Sequence, residues 1–175
     1  MLQEIRPGRS RFKETYVRVL FFIFGRALQT LSRIDPVLRR ELARWPEDLL
    51  VLYRILPKGP CMALLRNRAG GFEYRGSQGR EEEAGLVLSL KNLETAFLIM
   101  TLQLGPAKAY AEHRVGVRGN TSAAVSLIRC LNVLIAYLVP GRFARKLVKR
   151  LPVIPAGRKL LGRFLIFFVG VPFGV

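Results

Sequence analysis

Few residues in this chain could do chemistry. It holds one histidine, His113, with Glu112 before it and Arg114 after it. A His–Glu pair can relay a proton, but acid–base catalysis also needs a convergent cleft and a second reacting group. No nucleophile accompanies this pair, and a lone histidine beside a glutamate at a strand start is more often structural. The run Glu81-Glu82-Glu83 could attract a cation. Without a histidine nearby, consecutive carboxylates in a polar loop more often form a solvated edge. Cys61 and Cys130 lie far apart and show neither metal-ligand spacing nor a disulfide framework. They read as buried structural thiols, with a reducing cytosol as the expected compartment. No phosphate-binding loop, dinucleotide-binding turn, zinc-protease helix or serine elbow is present. The expectation is a non-enzymatic chain with no cofactor and no metal.

The charge is more informative. The 175 residues carry a formal net charge of +17, and half of them are hydrophobic. No carboxylate follows Glu112, whereas Arg114, Arg118, Arg129, Arg142, Arg145, Lys146, Lys149, Arg150, Arg158, Lys159 and Arg163 do follow it. Such a field attracts phosphate backbones or anionic lipid headgroups; the plainer reading is a solvated surface that aids solubility. Arg142, Arg145, Lys146, Lys149 and Arg150 surround Phe143, Leu147 and Leu151 at helical spacing. That is the pattern of a short basic amphipathic helix on an anionic membrane. Nucleic acid fits the charge less well. The phenylalanines and leucines sit in apolar runs instead of alternating with arginine as stacking platforms, and no RNA-binding motif appears.

The elements that would position these groups are readable from periodicity. Arg11–Ile34 forms a long helix, apolar all round at Val19–Phe24 and bracketed by Lys13, Arg18, Arg26 and Arg33. It either packs across the domain or lies in a membrane interface. Asp35-Pro36 caps and restarts a helix that stops before Pro46. Leu49–Leu56, Met62–Arg66 and Phe72–Arg75 read as an antiparallel meander. Leu86–Leu90 is apolar on both faces, as in a strand inside a sheet. Asn92 caps a helix over Leu93–Leu104, and Gly105-Pro106 breaks it. Arg114–Arg118 is a strand with one wet face, and a Gly119-Asn120 corner opens a helix over Ser122–Leu138. These last two helices carry more apolar surface than one core stripe needs. Asn132 falls beside the apolar face of the second, where a buried, backbone-satisfied amide is commoner than a ligand contact. The run Val19–Phe24 lacks a signal-peptide cleavage pattern. The longest uncharged apolar run, Phe164–Val175, would reach about 18 Å as helix, short of a ~30 Å hydrocarbon core.

The strand Leu86–Leu90 with Lys91–Phe97, followed by Gly105 and by Tyr110–Asn120, resembles the sterol carrier protein type 2 (sterol-binding, lipid-transfer) domain. The likeness covers about a third of the chain, and about two thirds with the meander included. It implies an α+β fold: a five-stranded, mostly antiparallel sheet covered by helices around an apolar cavity. The expected organisation is an N-terminal helical segment at 1–45, the lipid-binding core at 46–140, and a basic then apolar extension at 141–175. This tail is not a standard part of that family, and lid, membrane anchor and dimer contact all remain open for it. By the same resemblance, Leu90, Phe97, Met100, Leu104, Leu127, Leu131, Leu134 and Ile135 would line the cavity. No catalytic set carries over. The expected function is lipid binding or carriage, the ligand being a sterol, acyl or isoprenoid chain, with peripheral docking on anionic membranes from the cytoplasm. The alternatives are a scaffold presenting lipid or quinone intermediates to biosynthetic enzymes and, ranked last, a basic RNA-binding protein.

Overall fold

The computed structural model describes residues 11–101, 103–139 and 154–174. The expected basic helix Phe143–Leu151, and with it Arg142, Arg145, Lys146, Lys149 and Arg150, lies outside the described residues.

The chain begins with α1 (Arg11–Ile34) and α2 (Pro36–Leu42). Asp35 caps α2, its carboxylate accepting from the backbone N–H groups of Val37 and Leu38 at 2.8 and 3.2 Å. Next come β1 (Leu50–Ile55), β2 (Cys61–Arg66) and β3 (Phe72–Tyr74), paired as the expected meander. β4 (Leu86–Leu90) joins β1 in parallel, which local patterning could not show, and β5 (Val115–Gly119) closes the edge antiparallel to β4. The sheet is therefore α+β in setting and mixed in direction, ordered β3-β2-β1-β4-β5.

Strand alternation divides the apolar side chains between two faces. Val51, Tyr53 and Ile55 of β1, Met62 and Leu64 of β2, and Leu86, Leu88 and Leu90 of β4 face the main core. Leu52, Ala63 and Val87 form a smaller core on the other face. The loop 76–85 covers that face. Gly79 approaches Ala63 and Leu52, and Glu81 pairs with both Arg54 of β1 and Arg118 of β5, the latter at 3.0 Å. One member of the acidic run is thus a clamp across the sheet.

α3 (Leu93–Met100) and α4 (Pro106–Ala111) connect β4 to β5. Asn92 caps α3 through the Thr95 N–H at 2.8 Å. The helix ends at Met100, a turn earlier than its apolar spacing suggests. The Thr101 hydroxyl donates back to the Phe97 carbonyl at 2.7 Å, and the N–H groups of Gln103 and Leu104 both turn onto the Leu98 carbonyl.

α5 (Thr121–Leu138) starts at Asn120, whose side chain accepts from the Ala123 N–H at 3.0 Å. Among the described residues it is the one helix long and apolar enough to cross a membrane, and half of it is buried inside the protein. The C-terminal segment runs through α6 (Ala156–Phe164), a π-helical stretch (Leu165–Gly170) and α7 (Val171–Phe173).

α1 packs across the domain. Its second half is almost wholly buried, from Ala27 to Ser32. Two of its side chains satisfy the outer edge of the sheet: Ser32 Oγ accepts from the Phe72 N–H at 2.9 Å, and Gln29 Oε1 from the Tyr74 N–H at 3.0 Å. The C-terminal segment lies on α1 and α5. Gly162 faces the Tyr137 ring and Gly170 faces Thr30, so closely that a Cβ at either position would collide. Arg163 Nε donates to the Tyr137 carbonyl at 2.6 Å, and Gln29 Nε2 to the Gly174 carbonyl at 2.5 Å.

Candidate functional site

Between the sheet and the helices lies an apolar cavity of about 130 Å³. Its floor is the main-core face of the sheet: Tyr53, Met62, Leu88, Leu90, Val115 and Val117. These are neighbours by register, since Tyr53 stands opposite Met62 on one side and Leu88 on the other. One wall is a stripe of α5: Ala124, Leu127, Ile128, Leu131, Leu134 and Ile135. That spacing of three and four residues puts all six on one face. The remaining wall comes from Ile99 and Met100 at the end of α3, Leu104, Tyr110 of α4, and Phe24 of α1.

This accounts for the apolar excess of α5. One stripe faces the cavity, while Cys130, Val133 and Tyr137 are buried away from it in the main core. The polar fixtures of that second side hold the helix in place. The Tyr137 hydroxyl donates to Asp35 Oδ2 at 2.9 Å. Trp45 Nε1 donates to Ser126 Oγ at 2.9 Å, and Ser126 donates to Glu41, which also pairs with Arg129 at 3.2 Å. Burial, this hydrogen bond and the Asp35 charge push the Tyr137 phenol above its ordinary range. Burial first, then Glu41 and Asp35, pushes the Cys130 thiol up to about 12, so it is an inert core thiol.

Seven of the eight expected lining residues surround the cavity: Leu90, Met100, Leu104, Leu127, Leu131, Leu134 and Ile135. Phe97 does not. One turn before Met100, it packs on the Tyr16 ring of α1, with centroids 5.3 Å apart and Lys13 Nζ over its face. Leu104 reaches the cavity from the turn after α3, not from the helix. Asn132 is half-buried and outside the wall. Of the sheet's contribution sequence reasoning found Leu90 and missed Tyr53, Met62, Leu88, Val115 and Val117. The period-two alternation of Tyr53 with Ile55 and of Leu88 with Leu90 carried that signal, but the pairing that gathers them is not local.

The wall contains no charged side chain. The Tyr53 hydroxyl is buried and makes no hydrogen bond. Burial drives this phenol well above its ordinary range, with Cys130 a lesser cause. Tyr110 and Ile128, 61% and 49% exposed, stand where the wall meets solvent.

The candidate chemical groups lie elsewhere. His113 is exposed in a tight turn at φ +53°, and Glu112 is engaged with Arg114 at 2.7 Å and Lys108 at 3.8 Å. Among the described residues no group of histidine, cysteine and carboxylate side chains could hold a metal ion.

A second feature is on the surface. The C-terminal segment exposes Leu160, Leu161, Phe164, Phe167, Phe168 and Phe173. Phe164 and Phe168 stack at 4.9 Å. Arg158, Lys159 and Arg163 punctuate the same segment, which contributes nothing to the cavity wall.

No family model matches this sequence, and no curated protein matches it. Solved structures do. A ubiquinone synthesis protein described as UbiJ-SCP2 is 10% identical with a TM-score of 0.47, over 70% of this chain and 98% of that one. Sterol carrier protein 2 from Yarrowia lipolytica is 12% identical with a TM-score of 0.42, over 63% and 86%. A conserved protein from Thermus thermophilus, described as possibly a sterol carrier protein, is 17% identical with a TM-score of 0.42, over 82% and 93%. All three are similarities at 17% identity or less and at a TM-score below 0.5.

Proposed function

We propose that this protein binds a lipid chain between its sheet and α5 and docks peripherally on anionic membranes. The observation that carries the reading is the uncharged wall enclosing about 130 Å³. Apolar cavities of this order stay dry, so an apolar ligand meets no water that must be displaced. The volume is below the ~300 Å³ at which drug-sized pockets begin. It holds one end of a chain, and the rest leaves between Tyr110 and Ile128. A cavity of this size takes about six carbons, and at about 0.8 kcal/mol for each methylene taken from water these give about 5 kcal/mol before the cost of ordering the chain. Docking is supported by the exposed phenylalanines and leucines of the C-terminal segment beside Arg158, Lys159 and Arg163. Aromatic and aliphatic side chains with flanking cations are the composition of an interfacial helix.

The test is Leu131→Arg. Leu131 is half-buried in the wall, so the new side chain can carry its head to solvent while its stem crosses the cavity. Uptake of a fluorescent acyl probe should be lost with an unchanged circular-dichroism spectrum. Unchanged uptake would refute the placement of the ligand.

A further inference from the structure

We propose that the ligand is a lipid with a phosphate head, and that the head sits in a groove between the end of α2 and the first half of α5. This rests on the lipid-binding reading and adds the chemical class of the ligand and a site for its head. The groove holds about 450 Å³ and is bordered by Glu41, Arg44, Trp45, Asn120, Ser122 and Arg129. It adjoins the mouth of the cavity. Val125 borders the groove and Ile128 borders the cavity. The two are one turn apart on α5, 52% and 49% exposed. The solvent side of α5 therefore carries an apolar track from the mouth to the groove.

The groove supplies what the cavity lacks. The cavity wall has no charged side chain, so a charged head stays outside it. In the groove, Arg44 and Arg129 are both exposed. The one carboxylate there, Glu41, is engaged twice: it pairs with Arg129 at 3.2 Å and accepts from Ser126 at 2.9 Å. Arg44 pairs with no carboxylate among the described residues. Two cations thus face one carboxylate. Guanidinium forks match phosphate oxygens, and the exposed Ser122 hydroxyl can donate to a third oxygen. A carboxylate has fewer oxygens and less charge to share among these three groups. The reach sets the chain length. Ile128 and Arg129 are consecutive, so they stand about 100° apart on a helix ~10–12 Å across, an arc of about 10 Å. Carbons joined by ~1.5 Å bonds advance roughly 1.3 Å each, so about eight cover that arc. With about six in the cavity, a chain of about fourteen carbons brings its phosphate to Arg44 and Arg129.

The experiment displaces a bound fluorescent acyl probe with tetradecyl phosphate, tetradecanoate, tetradecanol, hexyl phosphate or hexanol, each below its micelle concentration. It uses the full chain, Arg44→Gln and, as a control for overall charge, Arg80→Gln. Both arginines are exposed, so neither change should disturb the fold, and Arg80 lies in the loop over the other face of the sheet. In the unsubstituted protein, tetradecyl phosphate should compete about tenfold better than tetradecanol, with tetradecanoate between them. Hexyl phosphate, whose chain is too short to span cavity and groove, should show no advantage over hexanol. Arg44→Gln should remove most of the phosphate advantage and leave tetradecanol unchanged, and Arg80→Gln should alter neither. A phosphate advantage undiminished in Arg44→Gln, lost equally in Arg80→Gln, or already present in the six-carbon pair would overturn the groove assignment. So would tetradecanoate competing better than tetradecyl phosphate. Each of these leaves lipid binding intact. Failure of all five to displace the probe from the unsubstituted protein would overturn the lipid-binding reading, and this inference with it.

Discussion

Ala124 gives the sharpest handle on the cavity. It sits on the wall stripe of α5, 7% exposed, with only a methyl group facing the space. Ala124→Leu adds three carbons. If the space is vacant without ligand, those carbons gain about 0.8 kcal/mol each, an upper limit of about 2.4 kcal/mol. Imperfect fit subtracts part of this, so a net gain of about 1–2 kcal/mol is expected. Helix propensity barely changes, because alanine and leucine are both strong helix formers. The same three carbons exclude an equal length of ligand, and about 2.4 kcal/mol corresponds to roughly sixtyfold weaker binding. The substitution thus moves stability and affinity in opposite directions. Urea unfolding of delipidated protein reads the first and dye displacement the second. Destabilisation by more than about 1 kcal/mol with affinity unchanged would refute the reasoning, because α5 would then be close-packed at this position.

Three further outcomes follow from the polar fixtures and the surface. Tyr137→Phe removes the donor to Asp35 in a fully buried site and should cost about 1.5–3 kcal/mol in urea unfolding; a loss under about 0.5 kcal/mol would contradict that role. The Cys130 thiol, pushed up to about 12 from an ordinary value of 9, contributes stability that is complete below pH 9 and is lost as pH rises from 9 to 12. The urea midpoint should fall across that window, less steeply in Cys130→Ala, and a thiol reagent at pH 8 should label Cys61 in the native protein but Cys130 only after unfolding. Phe164→Ser combined with Phe168→Ser changes exposed side chains, so stability should stay within about 0.5 kcal/mol while binding to vesicles containing anionic lipid weakens at least tenfold; equal binding would remove the C-terminal segment from the docking surface.

What the sequence made legible was local. Asp35, Asn92 and Asn120 announce their helices because a cap needs only one side chain and a backbone N–H two or three residues on. The apolar excess of α5 was visible because a helix buried on two sides must be apolar on two sides. The parallel pairing of β1 with β4 was not legible, since alternation states which face is wet and not which strand is adjacent. The end of α3 lies in a turn where the Gln103 and Leu104 N–H groups both close onto the Leu98 carbonyl, which apolar spacing ignores. Phe97 is expected in the wall by the family resemblance, and it packs instead on the ring of Tyr16, 81 positions earlier. Tyr53 was the least legible of all. An unpaired buried hydroxyl is a property of what three strands and a helix fail to supply, and no single segment contains it.

The most direct test is mass spectrometry of the organic extract of protein purified without detergent. The account predicts a lipid at about one per chain. An extract without lipid from a protein that also fails to take up the acyl probe would contradict it, and would leave the cavity as a packing feature of the core.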